Sequence, residues 1–246
     1  AVPGPGASGL DIRVAAGTDD AEQHVWPESG GSMESLTSSD LEIPYEDAGT
    51  PPAEPQVVGM RFTSVLVSQG GAIANAYVEF EVDELKPPSD DPPVNVIIEG
   101  ELVGNAAQFE NVANNITDRL VTAAKVKWSI PAGLAVNDKI RTPDISRIIR
   151  EIVSQDGWGP GNALVLIIGD DPDNPSQGLR TVESYNGEAA NAPLLHLETL
   201  VPLAKDPNPA NGATGVAFAP TVGTYFSSDV PKAVPDRSFI PPGTTV

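Results

Sequence analysis

Carboxylates dominate the chemistry this chain can offer. Asp19, Asp20 and Glu22 stand together at a loop-to-strand junction, and Asp40 with Glu42 repeats an acid-x-acid step further on. The stretch Gly169-Asp170-Asp171-Pro172-Asp173-Asn174-Pro175 crowds Asp170, Asp171 and Asp173 beside an Asn in a proline-bent turn. Hard cations such as calcium take several oxygen ligands, best drawn from carboxylates close in sequence and from the carbonyls of a bent loop. Both places are therefore metal-site candidates, although the turn lacks the spacing and the terminal Glu of a calcium hand. A solvated acidic loop is the alternative for each.

Hydrolytic chemistry has less to work with. The only histidines are His24 and His196, and no serine sits in a Gly-x-Ser-x-Gly elbow. His196 lies between Leu195 and Leu197 in an alternating stretch, where a hydrogen-bonded structural histidine is expected. Acid pairs for glycoside hydrolysis abound in a chain with 34 acids, so their abundance discriminates nothing. A non-enzymatic role follows as the expectation. Trp26, Trp128, Trp158, Tyr45 and Tyr77 are the rings that could stack on a sugar, with Trp158, between glycines, reading as a core plug.

The whole-chain balance narrows the partners. A formal net charge of −20 over 246 residues disfavours nucleic acid and anionic membrane surfaces, both of which need a basic footprint. No apolar run approaches the roughly 20 residues of a membrane span, so no membrane insertion is expected. The absence of cysteine removes disulfides, thiolate metal sites and cysteine nucleophiles together. The chain starts at Ala1 without a signal-type segment, which reads as the mature end of a processed secreted protein. An acidic, cysteine-free chain rich in Gly and Pro suits a prokaryotic cell exterior, where bound divalent ions can replace disulfides as staples.

Period-two patterns must position these residues. Short strands are expected at Leu10 to Val14 and Leu41 to Ile43, and longer ones at Val57 to Val67, Ala76 to Val82 and Val94 to Glu99. In the Ala76 segment, Val78, Phe80 and Val82 share one face. Thr142 as cap, Pro143 and Asp144 predict a helix over about 143–155, carried by Ile145, Ile148, Ile149, Ile152 and Val153. Asn162 to Ile168 is apolar on both faces and predicts a central strand, with that helix on one side and a second sheet on the other.

An ordered series of motifs from about Thr18 to Glu198 carries a resemblance. It comprises Asp19-Asp20-Ala21-Glu22, Ser38-Ser39-Asp40-Leu41-Glu42, Val58-Gly59-Met60-Arg61-Phe62, Thr142-Pro143-Asp144-Ile145-Ser146, Gly157-Trp158, and Arg180-Thr181-Val182-Glu183-Ser184-Tyr185. The series resembles an accessory β-sandwich module of large secreted bacterial surface proteins. The resemblance implies architecture and exterior location more than activity, and it adds Glu183 to the metal candidates. The loop Gly169 to Gly178 departs from it by being longer and more acidic. Past Ala204, Asn208 to Val216 resembles the opening strand of bacterial immunoglobulin-like repeats.

These readings predict an all-β chain: a jelly-roll type β-sandwich over 8–203 with one short α-helix, an N-terminal arm over 1–7 and a Pro/Gly-rich C-terminal arm over 204–246. Within that arm, Val216, Phe218, Val222, Tyr225 and Phe226 alternate as a possible donor strand, tethered by a turn-rich linker. The expected role is a calcium-stabilised structural subunit of an extracellular filament or surface layer, joined to copies of itself by strand exchange. Polysaccharide binding is the alternative.

Overall fold

The structure is a computed structural model that describes residues 7–46, 54–88 and 90–200. The chain divides into two compact units, Ala1–Leu203 and Ala204–Val246. The donor segment 216–226 and the first six residues of the expected N-terminal arm lie outside the described residues. Ala7 does not belong to an arm, because it opens the first strand.

In chain order the strands are β1 (Ala7–Arg13), β2 (Asp20–His24), β3 (Asp40–Ile43), β4 (Gln56–Val65), β5 (Ile73–Glu81), β6 (Val94–Gly100), β7 (Val126–Ile130), β8 (Lys139–Arg141), β9 (Asn162–Asp170), β10 (Arg180–Glu183) and β11 (Leu194–Leu200). Two helices join them, α1 (Ser146–Val153) and the four-residue α2 (Tyr185–Glu188). One sheet runs β1-β11-β5-β8 and the other β2-β4-β9-β6-β7, with β3 and β10 forming a separate ribbon. From β4 to β9 the chain changes sheet at every step except the β6–β7 hairpin, and β1 lies beside β11, which returns last. All pairings are antiparallel. That nested order is a jelly-roll sandwich.

Alternation explains the core. Ala76, Val78 and Phe80 of β5 and Val94, Val96 and Ile98 of β6 point inward, where they meet Val58, Met60 and Phe62 of β4. In β9, Leu164, Leu166 and Ile168 join this inter-sheet core, while Ala163, Val165 and Ile167 face a second cluster with Phe109 and Ile116. The central position expected of β9 is present, but its two covers differ from the expectation. Helix α1 shares the inter-sheet core with the opposing sheet, and the outer face is roofed by the segment between β6 and β7. The roof lies against bare backbone: a Cβ at Gly59 would meet Phe109 Cζ at 2.5 Å.

The helix also begins later than its sequence suggests. Pro143 disfavours the helical conformation at Thr142, and the chain there keeps tracking β5, through Thr142 N–H to the Val78 carbonyl and Ile145 N–H to that of Ala76. Thr142 Oγ1 accepts from Val78 N instead of capping the helix. Asp144 Oδ1 accepts from both Ser146 N, at 2.8 Å, and Ala76 N, at 3.1 Å, fastening the start of α1 to the sheet. The second helix, α2, was not anticipated. Its cap is Ser184, whose Oγ accepts from Gly187 N at 3.1 Å.

Candidate metal centre

The β3–β10 ribbon separates apolar from acidic residues by register alone. Leu41 pairs with Val182, and both enter the core with Ile43. Asp40 pairs with Glu183 and Glu42 with Thr181, so these four side chains share the opposite face. After β5 the chain bridges Val82 to Val182, and Asp83 N–H donates to the Thr181 carbonyl. This brings Asp83, Glu84 and Lys86 to the same face. Carboxylate oxygens of Asp40, Asp83 and Glu84 come within 4.8 Å of one another, a group that could hold a metal ion.

Charge on this face is unbalanced. Lys86 Nζ lies 3.5 Å from Asp40 and 3.2 Å from Glu84, and also contacts Glu42. Burial, the largest single influence, works against its charge, but the contacts with Glu42, Glu84 and Asp40 together outweigh it and hold the ammonium above its usual range. Burial, followed by the contact with Asp83, pushes Glu183 up to about 7. Burial likewise raises Asp83, despite a hydrogen bond with Glu183. Thr181 is buried, and among the described residues its Oγ1 has no hydrogen-bond partner. Thr181 and Glu84 both line a cavity of about 130 Å³. Carboxylates, an orphaned hydroxyl and adjoining space suit a hard, oxygen-loving cation.

The first acidic cluster is divided among separate tasks. Asp19 pairs with Arg61 at 2.6 Å. Asp20 accepts from Tyr185 N at 2.7 Å, tying α2 to β2, and burial pushes its carboxyl up to about 6. Glu22 is buried beneath the ribbon, where its Oε1 accepts from Glu42 N and Gln56 Nε2 at 2.6 and 2.9 Å. The 170–173 turn is not gathered at one point. Asp170 accepts from Tyr45 Oη and Ser176 N, whereas Asp171 and Asp173 clasp Lys127. A lysine thus neutralises the pair that the sequence suggested for a metal.

Asp83, Glu84 and Lys86 were missed from sequence. Their one signal is position: Asp83 continues the polar face of β5, and Glu84 and Lys86 follow it just before the Pro87-Pro88 break.

Most of the aromatic candidates are internal. Trp128 is not available to a sugar, because it is buried and stacked on Phe80 at 5.9 Å. Trp158 is a core plug whose Nε1 donates to the Val67 carbonyl. Tyr45 is buried against Asp170, and Tyr77 is half-buried between His196 and Arg141. Trp26 lies against His24 and lines an open groove with Gln23, Asn114 and Thr117. His196 Nδ1 hydrogen-bonds Asp11. Among the described residues, no helix is long and apolar enough to cross a membrane.

No family model and no curated protein matches the chain. Among solved structures, a chain titled Desmodium yellow mottle tymovirus aligns over 83% of this chain and 94% of its own, at 11% identity. Its TM-score of 0.23 is too low to carry an argument about either fold or function.

Proposed function

We propose that this chain is a non-catalytic, calcium-stabilised structural module of an extracellular prokaryotic assembly. The observation that carries the reading is the approach of Asp40, Asp83 and Glu84 to within 4.8 Å, beside the unpartnered Thr181 hydroxyl. Like charges held this close oppose folding, and a bound calcium ion turns the opposition into a staple linking the ribbon to the strand β5 exit. Stability should rise by about 2.7 kcal/mol when calcium is at a hundredfold excess over its Kd. Melting the protein with calcium and with chelator tests this, and an unchanged midpoint would remove the staple.

Assembly through strand exchange is supported by the sheet edges and by the alternating segment 216–226. Among the described residues, strands β1 and β7 each pair with a strand on one side only, and sheet edges are where added strands dock. The resemblance to secreted bacterial surface modules favours an exterior setting, with copies of the same chain as partners. Deleting 206–246 should leave a folded monomer that no longer polymerises. Continued assembly of the truncated chain, seen by electron microscopy, would refute donation by this tail.

A second reading, polysaccharide binding, is favoured by the Trp26 groove. It requires retardation in polysaccharide gels that is lost in Trp26→Ala.

A further inference from the structure

A lysine already stands against the carboxylates that would hold the ribbon's cation. Lys86 Nζ lies 3.5 Å from Asp40 Oδ2 and 3.2 Å from Glu84 Oε1, and it also contacts Glu42 Oε1. Asp40 and Glu84 belong, with Asp83, to the group whose carboxylate oxygens approach within 4.8 Å of one another. An ammonium carries three N–H donors, and three carboxylates meet this one. Its head is therefore fully committed. The stem is anchored close by, three residues past Asp83, and Pro87 restricts the backbone at Lys86 itself.

Calcium draws its oxygen ligands to about 2.3–2.6 Å. An ion held at that range by Asp40 and Glu84 would lie within a few ångströms of the ammonium, on a face where the Lys86 and Asp40 side chains are each 17% exposed. Two positive charges that close repel strongly when water is partly excluded. Ion and lysine thus compete for the same oxygens. A sodium or potassium ion brings the cluster one positive charge, no more than the lysine supplies, and forfeits the charge-assisted N–H bonds. A divalent ion doubles the charge delivered to the same carboxylates. Glu84 and Thr181 also border the cavity of about 130 Å³ that Asp90 lines. Asp90 Oδ1 is buried without a hydrogen-bond partner among the described residues, which leaves an acceptor four residues along the chain for a released ammonium.

We propose that Lys86 is a tethered counter-ion that sets the selectivity of the ribbon site, holding its carboxylates against monovalent cations and yielding them to a divalent ion of the calcium type. This builds on the reading of Asp40, Asp83 and Glu84 as calcium ligands.

Equilibrium dialysis of the full chain against radioactive calcium measures the exchange, with the ion lost in Asp83→Asn marking this site. Lys86→Met should bind that ion about tenfold more tightly than the parent, since no ammonium has to leave. Sodium chloride should then weaken binding to Lys86→Met more than tetramethylammonium chloride does at the same ionic strength, whereas the two salts should act alike on the parent. Circular dichroism confirms that the variants are folded. The parent supplies a second readout that needs no variant: calcium should raise the acetylation of Lys86 by acetic anhydride at fixed pH, read by mass spectrometry, and sodium should not. Calcium bound here by the parent but no more tightly by Lys86→Met, or bound without a rise in Lys86 acetylation, overturns the exchange and leaves the staple standing. A sodium effect equal in the two chains overturns the selectivity. A parent that binds no calcium dependent on Asp83 removes the staple, and the exchange with it.

Discussion

Replacing Lys86 with methionine should lower folding stability by about 3 kcal/mol at pH 8 in chelator, the low end for breaking a largely buried ion pair. Lys86 is the cation that reaches Asp40, Glu42 and Glu84, and its side chain is only 17% exposed. Methionine keeps most of the stem's packing and removes the charge, leaving Glu42, 5% exposed, without its ammonium partner. Urea denaturation of Lys86→Met, Glu42→Gln and the double variant completes a cycle. The double variant should recover much of the loss, because much of the penalty lies in a buried carboxylate charge that has lost its counter-ion rather than in the missing contact. Saturating calcium should also restore part of it by supplying positive charge to the same face. A single variant as stable as the parent in chelator would show that the acids there are solvated or protonated already.

How far this centre can be read from sequence depends on how its parts are brought together. The acid-x-acid steps at Asp20/Glu22 and Asp40/Glu42 are visible because period two puts both acids of a step on one side of a strand. Glu183 faces Asp40 through a pairing whose register no local pattern reveals. Asp83 and Glu84 reach the ribbon only because β5 ends where Val82 bridges β10. The same limit explains the 170–173 turn: three acids in four residues look like a ligand set until β7, far away in sequence, places Lys127 against two of them. The sheets were more legible, since β5, β6 and β9 state their buried faces locally. The roof over Gly59 was not. Phe109 and Ile116 belong to a segment without strand or helix period, and their burial follows from lying on β4 and β9. Trp128 shows the converse error: its type made it a candidate for stacking on a sugar, while the strand alternation turns it inward against Phe80.

Without divalent ions, the folded domain should be more stable near pH 5 than near pH 8, the reverse of ordinary acid denaturation. Asp20 is pushed up to about 6, and Glu46 and Glu183 up to about 7, with burial the largest cause in each. Asp83 and Glu22 shift in the same direction. An unfolded chain releases these protons near pH 4, so between about pH 4 and pH 7 the native state holds more protons than the unfolded one. Stability then falls as pH rises through the folded values. Asp20, well buried, accounts for about 3 kcal/mol over the full span from pH 4 upward by this linkage, roughly half of it between pH 5 and pH 8. His24 opposes the trend, since burial lowers its pKa and its contribution is lost as pH falls. It is one group against five. Asp144 and Asp171 are held below the usual carboxylate range, so their contributions are lost only in stronger acid, outside this window. Urea midpoints from pH 5 to 8 in chelator should therefore decline, and calcium, by replacing protons among the carboxylates, should flatten the decline. A midpoint that rises with pH in chelator would mean that these carboxyls are charged and solvated in the native state, and the Asp40–Asp83–Glu84 group would then lack the repulsion that makes binding stabilising.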